Sequence, residues 1–342
     1  MRILLVTQMW PSPENPDLGS FLVPVRDELE TLGHEVEIVA ISRRGGAPTK
    51  YARLSAQAAA VAARRPADVV FAHFLFPAGA AGAMASLVSR TPLVVMAHGQ
   101  DVANLGQVRG ALAATRAVVA RAAAVIANSR WLADRLAEKI PSAAAKVEIA
   151  NCGVDLEAFR PLPAADARRE LEWDGDGPAF LCVGSLIERK NVLRLADAFE
   201  RLGRGRLAFV GDGPLRDALE RRPGIRITGR IPHAQVPAWI AACDVLCQPS
   251  LTEPFGQAAL EGMAMERSVV ATAVGGPPEF VPLEAGVLVD PLSTDDLVTA
   301  LERAAALPSP NAAARAAAGE HDVARQSARM ASVLERAVER GQ

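Results

Sequence analysis

Residues 179–214, AFLCVGSLIERKNVLRLADAFERLGRGRLAFVGDGP, read as a short apolar strand, a helical segment and a second apolar strand, each strand running out into glycine. Such a unit makes two parallel strands buried on both faces. Toward the C-terminus the same alternation continues through IRITGR from Ile225, DVLCQPS from Asp244, SVVATAVG from Ser268 and AGVLVD from Ala285. Toward the N-terminus it has already run once: RILLVTQ from Arg2, EVEIVAI from Glu35, VVFAHF from Val69, LVVMAH from Leu93, AVIANS from Ala124 and KVEIA from Lys146, with Ala-rich helical segments between. The pattern restarts, so the expected fold is α/β, with two Rossmann-like, doubly wound parallel-sheet domains facing a central cleft.

The length agrees, since 342 residues, half of them apolar, exceed one compact core. The expected boundaries are an N-terminal domain over 1–160, a linker over 161–178, a C-terminal domain over 179–310 and a helical tail over 311–342. The linker lies within FRPLPAADARRELEWDGDGP, from Phe159 to Pro178, which is rich in Pro, Gly and charge. The tail is Ala- and Arg-rich without a strand signal and reads as one or two structural helices, free to pack back on the N-terminal domain. A formal net charge of −2 gives no broad basic face and argues against nucleic acid as a partner. Cys152, Cys182, Cys243 and Cys247 sit in apolar runs and read as buried, reduced thiols rather than a zinc knuckle. With no signal-peptide pattern in MRILLVTQMW and no long uninterrupted apolar window, the expected location is cytoplasmic, extending to peripheral contact at the inner face of the membrane.

Chemistry concentrates in Glu253-Pro254-Phe255-Gly256-Gln257-Ala258-Ala259-Leu260-Glu261, two glutamates eight positions apart, after the strand DVLCQPS and opening a helix. This resembles the E-x7-E motif of family 4 (group 1) glycosyltransferases of the GT-B fold, as does GGPPE at Gly275 to Glu279. A helix starting near Phe255 or Gly256 offers backbone N–H groups and a positive dipole end to a diphosphate. On that reading Gln257 and Ala258 lie at the phosphates, Glu253 accepts hydrogen bonds from the donor sugar, and Glu261, expected about two turns in, reaches the ribose hydroxyls. Charge-assisted hydrogen bonds of this kind contribute roughly 1.5–3 kcal/mol each.

Val183-Gly184-Ser185-Leu186-Ile187-Glu188-Arg189-Lys190-Asn191 stands where the resembled family carries a basic loop that holds the donor pyrophosphate. Lys190 takes the place of the family lysine. Ser185 departs from the arginine many relatives carry, so either Arg189 supplies the second charge or the diphosphate is held less tightly. Gly211-Asp212-Gly213-Pro214 and Gly229-Arg230-Ile231-Pro232 match the family's nucleoside-pocket loops, with Arg230 and peptide groups near Ile231 beside the base.

In the first half, His98-Gly99-Gln100-Asp101 resembles the family's HGxD stretch, which lines the sugar pocket, and a histidine there donates without a metal. Gly19 resembles the family glycine that gives the diphosphate room. His73 and Asp101 are acceptor-side candidates, with packing the stronger reading of His73. Asp174-Gly175-Asp176 has the form of a metal-holding D-x-D, but no strand precedes it and it reads as a turn. Between Glu37 and Asp68 no acidic residue occurs, while Arg43, Arg44, Lys50, Arg53, Arg64 and Arg65 do, beside Tyr51, Leu54 and Val61. Residues 43–65 are thus a candidate surface for anionic lipid or a lipid-linked acceptor, against the simpler reading of a solvated basic face.

The resemblance implies a retaining hexosyltransferase, with His98, Lys190 and Glu253 as its catalytic residues. It moves a sugar from a UDP- or GDP-linked donor to a glycan, lipid-linked or small-molecule acceptor, with no metal and no cofactor. The alternatives on the same fold are a nucleotide-sugar epimerase and an inactive nucleotide-sugar binder.

Overall fold

A computed structural model describes residues 1–341 as two compact units, residues 1–153 with 323–341, and Val154–Asp322. The first unit holds a parallel sheet of β1 (Arg2–Thr7), β2 (Glu35–Ala40), β3 (Val69–His73), β4 (Leu93–Ala97), β5 (Ala124–Ala127) and β6 (Val147–Ile149), in the order β2-β1-β3-β4-β5-β6. In the second, β7 (Ala179–Val183), β8 (Arg206–Val210), β9 (Ile225–Ile227), β10 (Val245–Gln248), β11 (Ser268–Thr272) and β12 (Gly286–Val289) run parallel in the order β12-β11-β10-β7-β8-β9. Each sheet therefore reverses its strand order once, beside its own first strand.

All twelve apolar runs are strands, because helices cover both faces of each sheet and every side chain along β3, β4, β5, β8, β10 and β11 is buried. Phe71, Phe180 and Phe209 lie among the largest fully buried side chains. The Thr49–Arg64 helix shows how the covering layer is written in sequence: Leu54, Ala58 and Ala62, four apart, form its buried stripe.

The segment expected as a linker is part of the second unit. Its Ala164–Glu170 helix packs on the Val236–Ala242 helix, and Phe159 and Trp173 are core residues, Trp173 with its ring centroid 5.6 Å from that of Trp239. The domain change accordingly falls after Gly153 rather than at 160. The tail divides. The Ala312–Gly319 helix packs on the Gln257–Ala264 helix of the second unit, whereas Val323–Glu339 buries Met330, Val333 and Leu334 against the Leu22–Thr31 helix and β3, β4 and β5. Asp174 and Asp176 are exposed in a turn beside Arg206, whose guanidinium donates to the Gly175 carbonyl at 2.7 Å. All four cysteines are free and buried, and burial pushes the Cys182 and Cys243 thiols up to about 12. Among the described residues no helix is long and apolar enough to cross a membrane.

Candidate functional site

In the second unit the strand order reverses between β7 and β10. Ligands of open α/β sheets bind beyond the carboxyl ends of strands at such a point. The two loops leaving these strands carry Lys190 and Glu253. After Gly184 and Ser185 the chain enters a 3₁₀ turn, Glu188–Lys190, ended by Asn191 at φ 58°. The Asn191 amide donates to the Pro249 and Pro291 carbonyls at 3.0 and 2.7 Å, fastening this turn to the loop after β10.

Lys190 Nζ then donates to Glu253 Oε2 at 2.6 Å. Ser250 Oγ and Gln248 Nε2 donate to the same oxygen at 3.0 and 3.3 Å. Arg189 stands further off, 4.0 Å from that oxygen, and donates to the Thr252 carbonyl at 3.1 Å. Every polar contact to the carboxylate falls on Oε2, so among the described residues Oε1 has no partner. Burial alone would raise this carboxyl, but the Lys190 ammonium, helped by Arg189 and Ser250, outweighs it and holds Glu253 below the usual carboxylate range.

The backbone of Glu253 is clamped as well. Its N–H donates to the Val274 carbonyl at 3.0 Å, and its carbonyl accepts from Gly276 at 2.9 Å. The chain passes so close here that a Cβ on Gly275, at φ +129°, would stand 1.9 Å from the Glu253 oxygen. That approach explains the glycine pair at 275–276.

Gly256 is the N-cap of the Gln257–Ala264 helix. Gln248 Oε1 accepts from the Ala259 N–H at 3.2 Å while its Nε2 reaches Glu253, so one buried side chain sets the helix start and the glutamate together. The amides of Gln257 and Ala258 lie in the first turn, at the positive dipole end. Phe255 faces the core, its ring centroid 5.1 Å from that of Phe280, and offers the site its backbone only. Because the helix begins at Gln257, Glu261 lies about one turn in rather than two; it is buried, with Oε1 3.5 Å from both His233 Nε2 and Gln257 Nε2.

The nucleoside-pocket candidates adjoin the same turn. Leu186 donates to the Asp212 carbonyl at 3.0 Å, which sets Gly211 and Gly213 against Gly184 to Leu186, and Gly211 pairs with Gly229. Arg230 is exposed with Nε 4.0 Å from Asp212 Oδ2, and Ile231 packs partly buried on the core.

In the first unit the order reverses between β1 and β3. His73 ends β3 and is fully buried; His98 follows β4 and keeps some exposure. His73 Nδ1 lies 3.1 Å from His98 Nε2, and the rings of Phe74 and Phe21 pack on His98 with centroids 4.4 and 5.5 Å away. Burial lowers His98 to about 3, and burial with the neighbouring imidazole lowers His73 well below its ordinary 6.5, so both rings are neutral at pH 7.

Asp101 turns inward. Its carboxylate accepts from the N–H groups of Leu75, His98, Gly99 and Val102 at 2.8–3.1 Å, tying the loops after β3 and β4 together. Burial pushes its carboxyl up against the pull of those four donors. In this arrangement Asp101 organises the two loops. At Gly19, φ +71°, a Cβ would lie 2.5 Å from the Met9 carbonyl oxygen, so this loop requires glycine there.

In residues 43–65, Leu54 is buried and Arg44 and Arg65 pair with Asp17 and Glu35. Arg43, Lys50 and Arg53 instead line a pocket of about 340 Å³ with Ser12, Glu14 and Ser42. Among the described residues Arg43 and Arg53 have no ion-pair partner.

The structure thus gathers Lys190, Arg189, Glu253 and the start of the Gln257–Ala264 helix, with Glu261 one turn further on. Sequence reasoning missed Gln248, Ser250, Asn191 and His233. Gln248 and Ser250 had a signal, being polar residues at the end of an otherwise apolar strand.

Comparison with known proteins points the same way. The model for Glycosyltransferase Family 4 matches residues 20–158, and that for Glycosyl transferases group 1 matches 177–306. The chain is 30% identical over 240 residues to a putative teichuronic acid biosynthesis glycosyltransferase of Bacillus subtilis, covering 69% of this chain and 61% of that one. It is 34% identical over 226 residues to a D-inositol 3-phosphate glycosyltransferase of Kribbella flavida, covering 60% and 53%. It spans less than two thirds of the length of these relatives. Among solved structures, Anabaena HepE in complex with UDP-glucose superposes with a TM-score of 0.76 at 21% identity, over 98% of this chain and all of that one, a likeness of fold.

Proposed function

Because this chain belongs to the group 1 glycosyltransferases of the GT-B fold, we propose that it is a retaining, metal-independent enzyme that transfers a hexose from a nucleotide diphosphate donor bound by its second unit. The observation that carries the reading is the Lys190–Glu253 pair at the β7/β10 reversal, beside a helix start. As the glycosidic bond breaks, negative charge gathers on the departing diphosphate. Lys190 and the amides of Gln257 and Ala258 receive it, with Arg189 as the second cation in place of an arginine at Ser185. Glu253, ionised and bound through Oε2, presents Oε1 to the sugar hydroxyls, while Glu261 takes the ribose. With a cation and a helix terminus serving the phosphates, the reaction needs no divalent ion. His98 is neutral and serves the sugar as a hydrogen-bond donor. UDP-glucose in HepE supports a nucleotide-sugar donor of this kind.

The acceptor carries a compact anionic group. Two observations support this: the cationic pocket of Arg43, Lys50 and Arg53 beyond the end of β2, and the D-inositol 3-phosphate named for several relatives. A phosphorylated polyol or a phosphate-linked lipid headgroup satisfies it equally.

The test is a screen of UDP- and GDP-sugars in EDTA, first by thermal shift and then, with acceptors, by NMR of the product's anomeric centre. The expected result is saturable stabilisation by one donor and transfer with retention. Stabilisation that requires added Mg²⁺ or Mn²⁺, inversion, or conversion of the sugar without an acceptor contradicts the proposal.

A further inference from the structure

His73 is a fully buried histidine with one hydrogen bond. Its Nδ1 meets His98 Nε2 at 3.1 Å, and its Nε2 is buried without a partner among the described residues. A buried polar atom left unpaired carries an uncompensated desolvation penalty, and leucine or phenylalanine would fill this strand end without it. Something that only an imidazole supplies offsets it.

The contact itself indicates what. Two neutral imidazoles meeting through one nitrogen each share a single proton between them. If His98 were the donor, His73 would have to carry its own proton on Nε2, as a buried N–H with no acceptor and with the Phe71 ring centroid 4.3 Å from its own. Among buried backbone groups an orphaned N–H is rarer than an under-satisfied acceptor, and the same ordering applied to the imidazole favours a bare nitrogen here. If His73 donates from Nδ1, its Nε2 is a bare lone pair, and His98, its Nε2 accepting, must carry its proton on Nδ1. That nitrogen is not among the buried, unpartnered atoms, whereas His73 Nε2 is.

We propose that His73 is a positioning residue that fixes His98 as its Nδ1–H tautomer, so that His98 presents a hydrogen-bond donor and not a general base to its ligand. The inference deepens the glycosyltransferase reading and rests on it for the ligand's identity. The low basicity of both rings agrees, since neither takes up a proton near neutral pH. The aromatic packing of Phe21 and Phe74 fixes the plane of the His98 ring; His73 fixes its proton.

The test is the side-chain nitrogen spectrum of the full-length protein labelled with ¹⁵N-histidine, in wild type, His73→Leu and His73→Asn. Asn places an amide where Nδ1 stood and lacks Nε2. In wild type, His98 should show a protonated Nδ1 and an unprotonated Nε2. In His73→Leu it should become a mixture of tautomers, and in His73→Asn it should return to the wild-type pattern. Turnover should fall on the order of tenfold or more in the Leu variant and be largely restored in the Asn variant, with UDP affinity within about twofold throughout. A protonated Nε2 on wild-type His98, or a His98 pattern unchanged by His73→Leu, overturns the proposal. Because the spectrum is read without a substrate, it stands whether or not the transferase reading does; failure of UDP and GDP to bind would sink that reading alone.

Discussion

Lys190 Nζ and Glu253 Oε2 are 2.6 Å apart, although 63 residues separate them in the chain. The pair exists because β7 and β10 are neighbours, so the loops leaving them rise side by side. It is also asymmetric. All three side-chain donors that bond Glu253 converge on one oxygen, which fixes the carboxylate as an anion and leaves its second oxygen without a partner among the described residues.

Lys190→Ala removes the main counter-charge. Turnover should fall at least about a hundredfold, the loss typical of deleting one electrostatic stabiliser of a transition state. The buried carboxylate keeps Ser250 and Gln248, so unfolding free energy should fall by only about 1–3 kcal/mol. Glu253 is held low in the folded state, so its contribution is present above the usual carboxylate pKa and lost as pH falls through the folded value. Urea unfolding at pH 7 and pH 3 should therefore show the mutant's deficit shrinking at the lower pH. Unchanged turnover with normal stability would show that Lys190 has no ligand role.

Gly275→Ala should be among the more damaging small substitutions in the chain. The added methyl meets the Glu253 carbonyl at 1.9 Å, from a left-handed backbone that alanine adopts poorly. Stability should drop by more than about 1 kcal/mol, with loss of the thermal shift given by UDP or GDP. Gly319→Ala, where a Cβ meets nothing within 4 Å, is the control and should be neutral. Equal behaviour of the two variants would remove the clamp on Glu253.

The histidine pair should make the protein acid-sensitive. Both rings are neutral when folded, His98 down to about 3, whereas the unfolded chain protonates near 6.5. Their folded pKa values are lowered, so the unfolded state binds more protons in that window. Stability should fall as pH drops from 6.5 toward 3, by up to about 1.4 kcal/mol per pH unit for each ring. In His98→Gln the slope should be shallower; an identical slope contradicts the neutral pair.

Asp101→Asn leaves one oxygen and a donor where four backbone N–H groups need acceptors. Unfolding free energy should fall by about 1–3 kcal/mol, with His98 losing its defined position. A variant as stable as wild type by urea titration would show that the loops after β3 and β4 hold without it.

The strands were legible because each is a short, largely apolar run between helical segments, and the central strands of both sheets are buried on both faces. The segment over 161–178 was not, since Pro, Gly and charge describe an ordered surface segment as well as a linker. The contrary signal was Phe159 and Trp173, two aromatics that a solvated linker has no reason to carry. The last helix announces an apolar stripe at Val323, Met330, Val333 and Leu334 but not which core receives it. The site was legible residue by residue, through Lys190, Glu253 and Glu261. Their mutual geometry was not, because it follows from which strands lie side by side, and no local pattern encodes that. Asp101 stood in the right motif, but that its carboxylate gathers four backbone N–H groups from the loops after β3 and β4 was not readable from the motif.

The most direct measurement is a crystal structure of the full chain with UDP bound in EDTA. The account predicts the diphosphate within hydrogen-bond distance of Lys190 Nζ and the amides of Gln257 and Ala258, with the ribose hydroxyls on Glu261. Diphosphate lying elsewhere, or reached by Lys190 only through a bound cation, would contradict it.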